Sequence, residues 1–162
     1  MGRGSFFGGL RNELVVAVDG VQDPGNLGTI IRSADAVGAQ GIVLGKGTVD
    51  LYNPKTVRST MGSMFHLPIA EADLTQLLPR AQAGGAQLVI TDLSASRSCY
   101  DLDLTKPTWL VLGNEGSGVS PEVSALVNET VIIPMRGESE SLNVAMAATV
   151  LLFEAMRQRL LK

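Results

Sequence analysis

Ile132–Arg159, IIPMRGESESLNVAMAATVLLFEAMRQR, is the segment around which this 162-residue chain is organised. A short apolar run, Val131 to Ile133, stops at Pro134, which cannot donate to a sheet ladder. A small polar loop then leads into a long helix. Val144, Ala147, Ala148, Leu151, Leu152 and Ala155 recur at the i, i+3, i+4, i+7 spacing of a buried stripe. A second line, Met146, Val150 and Phe153, is also apolar. That is more than a helix with one buried side requires, so a further surface is expected to cover it. The loop Gly137-Glu138-Ser139-Glu140-Ser141-Leu142-Asn143 brings polar side chains and free backbone N–H groups to the helix N-terminus. It reads equally as a capping loop, with Ser139 or Ser141 as N-cap, and as a seat for a small polar ligand.

Working outward, 45% of the residues are apolar and 18% charged, the composition of a folded domain with a sizeable core rather than of a disordered chain. No apolar run approaches the roughly 20 residues of a membrane span, and the opening MGRGSFFGGL lacks a signal-peptide pattern, so a cytoplasmic protein is expected. Residues 1–9 are Gly-rich and aperiodic and are read as a flexible leader before a single domain over 10–162. A lone cysteine, Cys99, excludes an internal disulfide and a multi-cysteine zinc site. The lone histidine, His66, argues against a histidine triad or metal cluster, and no metal is expected. His66 is read as an ordinary structural residue between Phe65 and Leu67. Thirteen basic against sixteen acidic residues give a net charge of −3, so any nucleic-acid affinity has to be local or supplied by another domain.

Leu14 to Val18, LVVAV, is a continuous apolar run that suits a strand buried on both faces. After the turn-rich Val21 to Asn26, the spacing of Leu27, Ile30, Ile31, Ala34 and Val37 predicts a helix over 27–37, and Gly41 to Leu44 is the next strand. Asn53-Pro54 opens a predicted helix over 54–64, Leu67 to Ala70 a short strand, and Asp73 a helix to about Ala83. Strands follow at Ala86 to Thr91 and at Thr108 to Leu112, with the long polar connection Asp92 to Lys106 between them. Ser120-Pro121 caps a helix to about Val127. The alternation predicts an α/β fold, a mostly parallel sheet with helices on both faces.

Ligands of open α/β sheets sit beyond the carboxyl ends of the strands. Three polar loops occupy such ends: Asp23 to Asn26 with its helix, Gly113 to Gly118, and Gly137 to Asn143. Singly, Asn26 reads as a cap and Arg32 as a surface arginine near Asp35. Glu115 reads as an acceptor for backbone N–H groups or as a site carboxylate. The glycines at 113, 116 and 118 allow close backbone approach to a ligand, but the loop lacks the lysine of a P-loop.

Read in order, DPGNLGTIIRSADAVGAQGIVL, LVLGNEGSGVS and IPMRGESESLNVAMAATVLLFEAMR resemble the three motifs of the SpoU (TrmH) branch of the SPOUT RNA 2′-O-ribose methyltransferases. The resemblance covers Leu14 to Arg159. It implies a C-terminal deep trefoil knot, S-adenosylmethionine bound in the knotted loops, a homodimer, and tRNA or rRNA as substrate. By position it implies Asn26, Arg32, Glu115, Ser141 and Asn143 as catalytic residues. It places the cofactor on Leu112, Gly113, Gly116, Ile133, Met135, Ser141, Leu142 and Asn143, with Thr91 and Asp92 as further candidates. Arg32, Lys55 and Arg58 are the expected RNA contacts. Many family members carry an N-terminal RNA-binding domain. Against this stand a non-catalytic cofactor- or RNA-binding module of the same fold and a flavodoxin-like nucleotide binder; the 4% aromatic content speaks against the latter.

Overall fold

Leu14–Asp19 (β1) holds Leu14, Val15, Val16, Ala17 and Val18, all buried, so both faces of this strand are covered, as its unbroken apolar run requires. Its neighbours are Gly41–Leu44 (β2) on one side and Thr108–Gly113 (β5) on the other. Ile69–Glu71 (β3), Gln87–Thr91 (β4) and Glu129–Val131 (β6) complete a six-stranded sheet of order β3-β2-β1-β5-β4-β6, with every pairing parallel. This computed structural model describes residues 13–138 and 141–161. The expected leader over 1–9 and the expected cap Ser139 lie outside the described residues.

The period-two alternation of β1 and β5 sorts the helices into two layers. Val16, Val18, Leu110 and Leu112 pack with Leu27, Ile30 and Ile31 of Pro24–Ala36 (α1) and with Ala148, Leu151 and Leu152 of Val144–Leu160 (α5). Pro54–Ser59 (α2) lies against α1 on that side. Val15, Ala17, Trp109 and Val111 pack with Leu74 and Leu78 of Leu74–Ala83 (α3) and Val123 of Pro121–Ser124 (α4). Among the described residues no helix is long and apolar enough to cross a membrane.

Several boundaries differ from expectation for local reasons. α1 begins at Pro24 because Asp23 Oδ1 accepts hydrogen bonds from the backbone N–H groups of Gly25 and Asn26, at 2.7 and 3.1 Å. The cap of α5 is Asn143, not Ser139 or Ser141: its Oδ1 accepts from Ala145 N at 2.8 Å and Met146 N at 3.4 Å. The helix predicted over 54–64 breaks after Ser59. Met61 and Gly62 take positive φ, 51° and 86°, and a 3-10 turn, Ser63–Phe65, follows. Strand β3 starts two residues later than expected. The last strand is β6 at 129–131, with Ile132 continuing only as a parallel bridge to Ser98. His66 is not packed between Phe65 and Leu67; its Nδ1 lies 2.8 Å from Asp35 Oδ2 on the surface.

α1 and α2 meet nearly backbone to backbone. A Cβ at Gly28 would lie 2.1 Å from Ser59 Cβ and 2.9 Å from the Ser59 carbonyl carbon. Gly28→Ala is therefore expected to destabilise the fold by about 1–3 kcal/mol. Denaturant unfolding checks this, and a second change, Ser59→Gly, should recover only part of the loss, because the backbone contact persists.

The long connection after β4 is tied to α5. Gln158 Oε1 accepts from Leu104 N at 2.8 Å, and its Nε2 donates to Leu102 O at 3.0 Å. Arg159 donates to Leu104 O, Lys106 O and Glu13 O, each at 3.0 Å. From the other side Ile132 N donates to Arg97 O at 2.8 Å, and Ile132 O accepts from Cys99 N at 2.9 Å. Most of this connection is thus structural, and its first residues alone reach the cleft described next.

Candidate functional site

Chain connections leave β1 towards β2 on one side while β5 lies on the other, which makes the carboxyl ends of this strand pair the switch point of the sheet, the place where open α/β sheets form a crevice. Gly113 closes β5. A Cβ there would fall 2.2 Å from Val119 N and 2.3 Å from Gly118 C, so the following loop folds directly back onto the strand. Asn114 and Gly118 exchange backbone hydrogen bonds, both 3.0 Å. The Asn114 side chain fastens that loop to β1: Nδ2 donates to Gly20 O at 2.9 Å, and Oδ1 accepts from Gly116 N and Ser117 N at 2.8 and 3.0 Å.

This arrangement aims Glu115 across the crevice at the start of α1. Its carboxylate accepts from Asp23 N at 2.8 Å, from Gln22 N at 3.0 and 3.2 Å, and from Asn26 Nδ2 at 3.2 Å. Burial pushes the Glu115 carboxyl upward, but the N–H groups of Gln22, Asp23 and its own backbone, with the Asn26 amide, outweigh this and hold it below the usual range. Asn26 in turn accepts, through Oδ1, from Asn143 Nδ2 at 3.1 Å. The cap of α5, the first turn of α1 and the loop after β5 are therefore joined in one hydrogen-bonded line, Asn143 to Asn26 to Glu115.

Beside this line lies a cleft of about 490 Å³, within the range of small-molecule sites. Thr91, Asp92, Leu112, Gly113, Glu115, Gly116, Ser141 and Leu142 are among its lining residues. A smaller recess of about 130 Å³ adjoins it, sharing Thr91, Asp92, Leu93, Ser141 and Leu142 and adding Ile133 and Met135. The expected cofactor residues thus line one or other cavity, apart from Asn143, which caps the helix behind them. Asp92 is held below the usual carboxylate range by the Ser94 backbone N–H and then by its hydroxyl. Among the described residues no group of three or more His, Cys, Asp or Glu could hold a metal ion.

Arg32 stands apart. It is exposed on α1, beyond Asn26, and is not among the residues lining either cavity. Its expected neighbour Asp35 is engaged by His66 instead. Lys55 and Arg58 are likewise exposed, on α2. Sequence reasoning offered backbone N–H groups as partners of Glu115 without locating them at Gln22 and Asp23, and it missed the Asn114 fastening. Two signals were present: Asp-Pro is the signature of a cap followed by the first helical residue, and asparagine commonly bonds backbone N–H groups two residues ahead.

The SpoU rRNA Methylase family profile matches residues 13–153. The chain is 42% identical over 153 residues to the 23S rRNA (uridine(2479)-2′-O)-methyltransferase of Streptomyces viridochromogenes, covering 91% of this chain and 53% of that protein. It is 40% identical over 139 residues to the 23S rRNA (guanosine(2553)-2′-O)-methyltransferase RlmP of Bacillus subtilis, covering 86% and 56%. The chain thus spans about half the length of these relatives. Among solved structures, the SpoU methyltransferase AviRb from Streptomyces viridochromogenes in complex with the cofactor AdoMet superposes with a TM-score of 0.87 at 41% identity. That match covers 96% of this chain and 61% of AviRb.

Proposed function

We propose that this chain, which belongs to the SpoU rRNA methylase family, transfers a methyl group from S-adenosylmethionine to a ribose 2′-hydroxyl of RNA. The observation that carries this is the line from Asn143 through Asn26 to Glu115, which brings all three motif loops to one rim of the sheet beside a cleft of suitable volume. The names of the 23S rRNA relatives favour ribosomal RNA as the substrate class. A cytoplasmic location fits such a substrate.

The residues present suit the cofactor. Leu112, Leu142 and Ile133 offer apolar walls for a flat base, and the backbone at Gly113 leaves no room for a side chain between strand and loop. Asp92 and Glu115 place negative charge at the cleft, complementary to a cationic sulfur. When bound, S-adenosylmethionine supplies a methyl group on a positively charged sulfur, already activated for in-line displacement. Backbone groups around Leu112, Gly113, Ile133, Met135 and Leu142 would hold the cofactor, and Ser141, which lines both cavities, would help to orient the ribose. The 2′-hydroxyl is a weak nucleophile at neutral pH, so its oxygen must be placed and its proton given a destination. Arg32 binds the adjacent phosphate and polarises the hydroxyl, whose proton passes to a phosphate oxygen or water.

Because Arg32 lines neither cavity of its own chain, the reading requires a homodimer. The outer face of α5 supports one: Met146 and Phe153 are exposed at 59% and 42%, beside the exposed Arg32 on the adjacent α1. The fastening of the 97–106 connection to both Ile132 and the end of α5 supports threading of the C-terminal segment, the expected knot. Calorimetric titration with S-adenosylmethionine and its demethylated product tests the cofactor site. Tritiated methyl transfer to an unmodified 23S rRNA transcript tests the reaction. Absence of binding by both ligands at millimolar concentration would overturn the proposal.

A further inference from the structure

The break between α2 and the 3-10 turn leaves a strip of unusual character on the surface. Lys55, Arg58, Met61 and Phe65 are exposed along this segment, while Thr56, Thr60 and Ser63 are buried. Met61 is 71% exposed and Phe65 77%. Met61 is also the single non-glycine residue with positive φ among the described residues. A bulky side chain held in a left-handed conformation without burying anything is a backbone cost that local packing does not return. Neither Lys55 nor Arg58 has a carboxylate partner among the described residues. Two unpaired cations next to two exposed apolar side chains thus occur in a chain whose net charge is −3.

The strip lies beside Arg32. Ser59 abuts Gly28, and His66 bonds Asp35, so the strip runs along α1 from Gly28 to Asp35. Arg32 sits between those two points on the exposed side of the same helix. Resting on the RNA-methylation reading, we propose that this strip docks an unpaired stretch of the substrate RNA next to the methylated nucleotide. Lys55 and Arg58 take the phosphates that the family resemblance implies for them, and the new element is that Phe65 with Met61 forms the platform for one base. Cations that follow a backbone beside a side chain that stacks on any base are the recurring recipe for single-stranded RNA. A second copy of this chain is the less suitable occupant. A twofold contact through the strip would set Lys55 and Arg58 of two copies close together, whereas on the Met146 and Phe153 face the α5 cation, Arg157, is already paired with Glu154.

The test uses the full chain with Phe65→Ala, Met61→Gly, Lys55→Ala and Arg58→Ala, and two fluorescein-labelled probes, a 12-nucleotide oligouridylate and a 12-base-pair RNA duplex. Phe65→Ala should weaken oligouridylate binding by about tenfold and leave duplex binding unchanged. Met61→Gly should do the same in direction even though glycine relieves the backbone, so a folding defect is not an available explanation. Each cation variant should weaken both probes and reduce the salt slope by roughly one. S-adenosylmethionine titrations should be unchanged throughout. Cofactor binding with unaltered oligouridylate affinity in Phe65→Ala and Met61→Gly overturns the strip alone, whereas loss of cofactor binding in the parent chain overturns the reading beneath it. Sedimentation is the remaining arm: variants that become monomeric while the parent is dimeric would assign the strip to a second copy and overturn the RNA proposal.

Discussion

Arg32→Ala is expected to lower methyl transfer by about a thousandfold while affinity for S-adenosylmethionine stays within about twofold of the parent. The asymmetry follows from position. Arg32 is exposed on α1 and lines neither cavity, so removing it takes nothing from the walls that hold the cofactor. Its α1 neighbours on the buried side, Ile30, Ile31, Ser33 and Ala34, keep the helix in place. What is lost is a planar cation able to grip a phosphate through two parallel hydrogen bonds while placing a further N–H on the ribose oxygen. Arg32→Lys retains a charge without the fork and should recover only part of the rate. The measurement is single-turnover transfer to a 23S rRNA transcript, paired with calorimetry on the same preparations. A rate within tenfold of the parent for Arg32→Ala would remove this residue from the mechanism.

Arg32 shows where sequence legibility ends: it is exposed on α1 and lines neither cavity of its own chain. LVVAV and TWLVL announced strands covered on both faces, because an unbroken apolar run has no polar side to show to water. They became the central pair β1 and β5. Asn26, Glu115 and Asn143 were picked out by the resemblance of their three segments to the family motifs rather than by position alone, and the structure links them through Asn26. The route by which they meet was not legible. It depends on Gln22 and Asp23 backbone amides, which no side-chain identity encodes, and on Asn114 holding the loop at an angle set by the closeness of Gly113 to Val119. The outward strip was hidden by periodicity itself: apolar spacing continues smoothly from Val57 through Met64, while the backbone breaks at Met61 and Gly62. Positive φ at a methionine runs against local preference, and apolar spacing carries no sign of it. The cap of α5 was misplaced because three polar residues, Ser139, Ser141 and Asn143, all suit an N-cap; contact with Asn26 goes with the last of them.

Glu115→Gln is expected to reduce both cofactor affinity and turnover by about ten- to a hundredfold, although it changes one atom for another of nearly equal size. The Glu115 oxygens accept from three different donors, Gln22 N, Asp23 N and Asn26 Nδ2. An amide offers one oxygen and turns two N–H donors towards that same set, so at least one donor loses its acceptor and faces another donor. The first turn of α1 is then released from the loop after β5, and Asn143 loses its fixed partner through Asn26. Since the Glu115 carboxyl is held below its ordinary range, its contribution to the fold is complete above that range. It disappears only as pH falls through the lowered value. Glu115→Gln therefore imposes at neutral pH the state that the parent reaches only in acid, and activity lost by the parent on acidification should lie on the acid side of the glutamate range. The same variant decides how the active site is shared. Arg32→Ala and Glu115→Gln chains, each well below the parent alone, should together reach about a quarter of the parent activity after subunit exchange. Half of the dimers are mixed, and each mixed dimer has one site with an intact cleft facing an intact arginine of the second copy. If Arg32 served the cleft of its own chain, every site in the mixture would carry a defect and the activity would stay at the average of the two variants.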